Sequence, residues 1–300
     1  MKKEERPNPL NDYLFMKYMG EEGDEEQLLA FLNAVLQKTG RNGIVAVKIL
    51  GNRNLSAEIK GDKASVLDVR AVMNDGTKVN IEVQLQTVGN MAKRSLYYWC
   101  REYIKGIRSG KDYSQLPRVI AINILGSELF PVDAMHTSFH LWEDSLKDFM
   151  LTDVLEIHFI DMVKYRHLKE KDIEHNDLHR WLAFFDKNTN KETIEKITAM
   201  DTAIEKALRK ISQVLQDEDM LRLYHSREMA EMDYNSGMNH ARREGMQQGI
   251  AIGEQKVQAK YVSKLFQKGM SVKDIAELAD LPEEEVDSIL KQEDVYDAKP

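Results

Sequence analysis

The chain of 300 residues has one cysteine, Cys100, six prolines, and no apolar run approaching the length of a membrane span. A lone cysteine cannot close an internal disulfide or share a zinc site with a second thiol, which argues against a disulfide-built secreted domain. Cys100 falls in the aromatic run Tyr97-Tyr98-Trp99-Cys100 and is expected to be packed rather than reactive. The opening Met-Lys-Lys-Glu-Glu-Arg-Pro lacks the apolar core of a signal peptide, so a cytoplasmic protein without a membrane partner is expected. No Gly-rich phosphate loop or dinucleotide fingerprint precedes a helix. The eight histidines, including His136, His140 and His158, show no metal-ligand spacing and are read as structural. An excess of positive charge is missing too, the formal net charge being −8. Affinity for a phosphate backbone comes from cations that release counterions, so this balance counts against tight DNA binding but leaves room for a local basic cluster.

What the chain does have is a normal apolar share of 42%, enough to bury one large or two ordinary cores. Two carboxylates are set into strand-like sequence. Leu67-Asp68-Val69-Arg70-Ala71 is followed by Ile81-Glu82-Val83-Gln84-Leu85-Gln86, and Asn74-Asp75-Gly76-Thr77 between them is a turn sequence that predicts an antiparallel hairpin. Because side chains alternate along a strand, Glu82, Gln84 and Gln86 are expected on one face, while Ile81, Val83 and Leu85 enter a core. Asp68 can join the first set from the neighbouring strand.

Asn11 or Asp12 can cap a helix to about Met19, and Glu25 to Lys38 carries a broad apolar stripe. Ile44 to Leu50, Val66 to Met73 and Lys78 to Gln86 read as strands, and Asn90 to Ser109 as a helix. The apolar run Arg118 to Leu125, bounded by Pro117 and Gly126, reads as a buried central strand. Phe139 to Trp142 and Leu155 to Phe159 are further strands, and Asn176 to Phe185 and Lys191 to Leu215 are helical. Strands flanked by helices on two sides predict an α/β (α+β) sandwich. Expected boundaries are 1–185 for this domain, 186–235 for a helical connector and 236–300 for a helical C-terminal region.

The ordered set of Asn11-Asp12-Tyr13-Leu14-Phe15-Met16-Lys17, Asp68, Glu82-Val83-Gln84 and Arg94-Ser95-Leu96-Tyr97-Tyr98 resembles the Rpn family of recombination-promoting nucleases and putative transposases, within the PD-(D/E)XK nuclease superfamily. The resemblance spans roughly residues 8 to 165 and implies a restriction-endonuclease-like mixed-sheet core. It implies a DNA endonuclease with Asp68, Glu82 and Gln84 as catalytic residues. Mg²⁺, for which Mn²⁺ can substitute, would be held by Asp68, Glu82 and the carbonyl of Val83. Gln84 stands where the superfamily has lysine, and a neutral amide cannot supply cationic stabilisation. Slower cleavage follows unless Lys93 or Arg94 assists. Asp12 is an auxiliary candidate because the superfamily often draws an acidic residue from its first helix; its other reading is a helix cap. Arg94 can bind phosphate or pair with a carboxylate of the set.

Lys93, Arg94, Arg101, Lys105, Arg108 and Lys111 follow on one helical segment, along which a DNA backbone can run; an ordinary solvated helix face is the alternative. Tyr97 and Tyr98 can contact nucleic acid, though helical spacing with Trp99, Tyr103 and Ile104 favours the core. The competing function is a catalytically weak or inactive nuclease-like module that binds nucleic acid or protein, and a third is a transposase-associated protein needing partners.

Beyond Ala203 the chain is helical in pattern. Gly237, Gly245, Gly249 and Gly253 recur at multiples of four, for which a homo-oligomer contact, an intrachain helix pair and a flexible connector are the readings. Ser271 can cap a helix, and Leu281-Pro282 can start another in a helix-turn-helix-like shape. Glu283, Glu284, Glu285 and Asp287 on that second helix would repel DNA phosphates, which favours assembly or protein interaction.

Overall fold

The computed structural model describes residues 6–41, 43–50, 69–86, 89–105, 107, 112–146 and 148–296. Asp68, Arg108 and Lys111 lie outside the described residues. The described chain divides into two compact units, up to Ala230 and from Glu231 onward.

The first unit is built on a mixed sheet. Its strands are β1 (Val47–Ile49), β2 (Val69–Met73), β3 (Lys78–Gln84), β4 (Val119–Leu125), β5 (His136–Trp142) and β6 (Met150–Asp161), in the order β1-β2-β3-β4-β6-β5. Asp75 and Gly76 turn β2 back on β3: Gly76 sits at φ 83°, a left-handed value that glycine adopts without a Cβ clash. The Asp75 carboxylate accepts from Thr77 N at 2.9 Å. The hairpin is antiparallel, with Val69 opposite Ile81 and Arg70 opposite Asn80. β4 lies between β3 and β6 and is parallel to both, so it is covered on two faces and every one of its residues is buried.

Helices form both outer layers. On one face α1 (Asp12–Met19), α2 (Glu25–Leu36), α5 (Asp177–Phe185), α6 (Lys191–Met200) and α7 (Thr202–Gln216) share a core with Val69, Ala71, Val79, Ile81, Val83, Ile122 and Ile160 of the sheet. Asn11, not Asp12, caps α1 by accepting from Tyr13 N and Leu14 N. Edge-on contacts among Phe15, Phe31, Trp181 and Phe185 fill the centre of this layer. α6 and α7 divide the single helical run expected over 191–215. Asp201 breaks it because its carboxylate caps α7, accepting from Ala203 N and Ile204 N. The short helix α4 (Met162–His167) is capped in the same way by Asp161.

The other face is covered by α3 (Met91–Ile104), which buries Met91, Ser95 and Trp99 at four-residue spacing. The Trp99 indole N–H donates to Val119 O at 2.8 Å and its ring stacks on Tyr103. Burying such a side chain contributes roughly 1.5–3 kcal/mol, which fixes α3 over β3 and β4.

In the second unit the end of α8 (Glu218–Gln267), α9 (Val272–Ala279) and α10 (Glu283–Tyr296) close a small core of Val262, Ile275, Ala276 and Val286. Ser271 caps α9 by accepting from Asp274 N. The acidic run Glu283-Glu284-Glu285 occupies the first turn of α10, where negative charge is favoured by the helix dipole. A Cβ added at Gly237, Gly245, Gly249 or Gly253 would meet nothing within 4 Å, so among the described residues these glycines make no close intrachain helix pair. The region is continuous helix rather than a loose connector. No described helix is long and apolar enough to cross a membrane.

Candidate active site

β3 separates the two faces of the sheet by alternation. Val79, Ile81 and Val83 enter the large core, while Asn80, Glu82 and Gln84 turn toward α3 and are buried beneath it. Any role of Val83 in ligation therefore falls to its backbone carbonyl.

Glu82 is 2% exposed, and its Oε1 lies 2.7 Å from Nη2 of Arg94. Arg94 occupies the first turn of α3, where its N–H closes onto Asn90 O and its guanidinium remains partly open to solvent. Of the two roles open to Arg94, the structure brings it to the carboxylate. The charges meet without a well-directed hydrogen bond: Glu82 Oε1 and Arg94 Nε are both buried with no hydrogen-bond partner, as is Asn80 Oδ1 on the same face. Burial pushes the Glu82 carboxyl upward, and the charge of Arg94 opposes that rise without cancelling it. The Glu82 carboxylate is thus ion-paired with Arg94, and Asn80 Oδ1 beside it on the same face has no hydrogen-bond partner.

The surrounding polar groups are tied down. Asn123 lies opposite Glu82 on β4, and its amide donates to Ser95 Oγ at 2.9 Å and to His158 O at 3.0 Å, pinning α3 to the sheet. Gln84 is buried and makes only a long contact of 3.4 Å to Gln86 O. Its own carbonyl accepts from Gly126 N at 2.9 Å, and a Cβ on Gly126 would lie 2.4 Å from Leu85 O. Only glycine lets β4 leave the sheet this close to the end of β3.

The remaining candidates lie farther out. Asp12 accepts from Tyr13 N and faces Arg227 at 3.7 Å, in the helical layer on the opposite side of the sheet from α3. Lys93 and Arg101 are exposed on α3, and Lys105 pairs with Glu102. Two expectations on this helix fail. Tyr97 is 60% exposed rather than part of the core, and Cys100 is exposed rather than packed. With Met91, Ser95 and Trp99 facing inward, both residues point away from the sheet.

The structure adds Asn80, Ser95 and Asn123, which the sequence reading passed over. For Asn123 the signal was a lone polar residue in the otherwise apolar β4; Asn80 shares the alternating polar face of β3 with Glu82 and Gln84, and Ser95 had no signal of its own. The structure also forms a buried chain on the opposite face of the sheet: His136 Nε2 meets His158 Nδ1 at 2.9 Å, and His158 Nε2 meets Glu156 Oε1 at 2.8 Å. Thr39 donates to the same carboxylate, and Arg41 Nε lies 3.0 Å from it. Burial works to raise the Glu156 pKa, but these hydrogen bonds and charges hold it down at about 2. Among the described residues no three His, Cys, Asp or Glu side chains converge as a metal site.

An antiparallel hairpin feeding parallel strands, helices on both faces, and a buried acidic residue near the end of the third strand define a restriction-endonuclease-like α/β fold. The model of the PD-(D/E)XK nuclease family transposases matches residues 9–241, and the chain belongs to that family. No curated protein and no solved structure matches the chain.

Proposed function

We propose that the protein is a metal-dependent DNA endonuclease that hydrolyses phosphodiester bonds, acting in transposition or recombination. The observation that carries this reading is the buried Glu82 carboxylate, ion-paired with Arg94 at the foot of a basic helix. Asp68 lies outside the described residues and enters this proposal through the family's motif alone. In this proposal Asp68, Glu82 and the carbonyl of Val83 hold Mg²⁺ or Mn²⁺. The fit rests on the chemistry of the donor set, carboxylate and carbonyl oxygens of the kind hard cations favour, with Arg94 moving off Glu82 Oε1 to make room. A divalent ion bound there supplies charge stabilisation to phosphate oxygens and makes water more acidic.

The chain's own groups do the rest. Arg94, released from Glu82, meets the phosphate; the Gln84 amide orients a water or a phosphate oxygen; Lys93, Arg101 and Lys105 hold the flanking DNA backbone. A cytoplasmic location and self-association through the C-terminal helices belong to the same proposal. Exposed Met238, Met246, Ile250 and Val257 along α8 support the latter.

Nicking of supercoiled DNA with Mg²⁺ or Mn²⁺ tests the reading. Wild-type protein is expected to cut, and Asp68→Ala and Glu82→Ala to abolish cutting while remaining folded. Equal cleavage by these variants would sink the assignment. The Arg94 contact on Glu82 and the neutral Gln84 favour a second reading, a nuclease-like module that binds DNA without cutting it. Binding without metal-dependent cleavage by wild type, and gain of cleavage in Gln84→Lys, would decide for that reading.

A further inference from the structure

The outer flank of α3 carries a continuous series of rings and cations that starts at the buried carboxylate. Arg94, which touches Glu82, places its guanidinium carbon 5.5 Å from the centre of the Tyr98 ring. Tyr98 meets Tyr97 edge-on at 5.6 Å, and the Arg101 guanidinium lies 5.9 Å from the centre of Tyr97. Folding does not require Tyr97, because Met91, Ser95 and Trp99 already seat α3 on the sheet. Tyr97 leaves most of its ring in water, touching within the helix only the edge of Tyr98 and the Arg101 guanidinium among the contacts described.

We infer that Tyr97 and Tyr98 stack on unpaired bases, so that the strand held beside Glu82 is locally single-stranded rather than part of an intact duplex. The inference rests on the DNA reading above and specifies its substrate. Two features select this occupant. Lys93, Arg94, Arg101 and Lys105 against Glu102 make the described helix locally positive in a chain of net charge −8, which matches a phosphate backbone. Phosphates alone need only charge, whereas exposed rings flanked by guanidinium groups match the faces of bases, which a duplex keeps covered by its own stacking. Two adjacent rings can hold consecutive bases, while Arg94 and Arg101 at the ends of the series meet the phosphates on either side.

Fluorescence anisotropy of the full chain with labelled oligonucleotides, in EDTA so that nothing is cut, tests this. Wild type is expected to bind a single strand more tightly than a duplex of equal length. Tyr97→Ala should lose about 5- to 150-fold on the single strand, the range for one base–aromatic stack, with little change on the duplex. Tyr97→Phe should retain wild-type affinity because the ring, not the hydroxyl, is used. A strand with consecutive abasic sites should bind wild type more weakly than Tyr97→Ala binds the intact strand, because it removes both stacks. Equal affinity for single strand and duplex, with Tyr97→Ala neutral on both, overturns the inference but leaves the nuclease reading standing. Absence of binding to either form also overturns the inference, while the nuclease reading stands or falls on the nicking assay with Mg²⁺ or Mn²⁺. Far-UV circular dichroism of each variant confirms that α3 remains folded.

Discussion

Replacing Arg94 by Met removes the charge facing Glu82 while keeping most of the aliphatic stem that packs beside it. Glu82 is 2% exposed, so the variant leaves a carboxylate buried without its counter-charge. Breaking a buried pair in this way costs about 3–5 kcal/mol when the pair is fully enclosed and well hydrogen-bonded. Here the Arg94 side chain is 25% exposed and Glu82 Oε1 receives no hydrogen bond, both of which reduce the loss. We therefore expect destabilisation of about 2–3 kcal/mol near neutral pH, or roughly 4–12 °C in Tm for a unit of this size.

The pH dependence gives the sharper check. Burial already raises the Glu82 pKa in the folded protein, and Arg94 restrains the rise, so its removal raises the value further. A carboxyl whose folded pKa exceeds its unfolded value binds its proton more tightly when folded. It therefore costs no stability below the unfolded pKa, and the cost grows as pH rises toward the folded one. The gap between Arg94→Met and wild type should thus narrow on acidification from neutral pH to about 4.5, the ordinary carboxyl range. In a Glu82→Gln background, where nothing ionises, Arg94→Met should cost under about 1 kcal/mol. Urea unfolding followed by Trp fluorescence measures all four proteins. An Arg94→Met variant as stable as wild type at neutral pH, or a gap that is independent of pH, would refute the account of a buried, charge-compensated carboxylate.

Gly126→Ala should destabilise the first unit by about 2 kcal/mol or more, because the new methyl would strike the backbone of Leu85 rather than a movable side chain; thermal melting checks this. His136, held at about 3 by burial and then by His158, stays neutral in the fold, so stability is expected to fall as pH drops below about 6.5 toward that value. His136→Gln should flatten this acid limb in unfolding curves measured across the window. Ser271→Ala should lower the stability of the C-terminal helices by about 1 kcal/mol through loss of the α9 cap, read by amide hydrogen exchange in α9.

Legibility in the sequence followed how much of each side chain's environment was local. β4 was readable because a strand buried on both faces has to be apolar along its whole length. The β2–β3 turn was readable because Asn-Asp-Gly determines its own backbone. β5 begins at His136, earlier than the expected Phe139, because His136 is accommodated by His158 across the ladder rather than by any apolar pattern. Asp201 looked like one more residue of a long helix until its side chain was seen capping the next one. At the site, alternation along β3 correctly divided Glu82 and Gln84 from Ile81 and Val83. The pairing of Arg94 with Glu82 was only one of two options, since it depends on where α3 lands. The exposure of Tyr97 and Cys100 followed from the helical phase of Met91, Ser95 and Trp99, a signal that aromatic composition obscured.

The way α3 is attached bears on how this protein can change. One flank of the helix holds it in place through Met91, Trp99 and the Ser95–Asn123 hydrogen bond; Leu96, Tyr97 and Arg101 on its open side carry little of that attachment. Mutations on the open side can therefore accumulate at small cost to folding while altering what lies against the helix. A lineage built on this scaffold can change the chemistry of that open flank before it alters the carboxylate beneath the helix, and an engineer seeking new surface chemistry would randomise the same few positions.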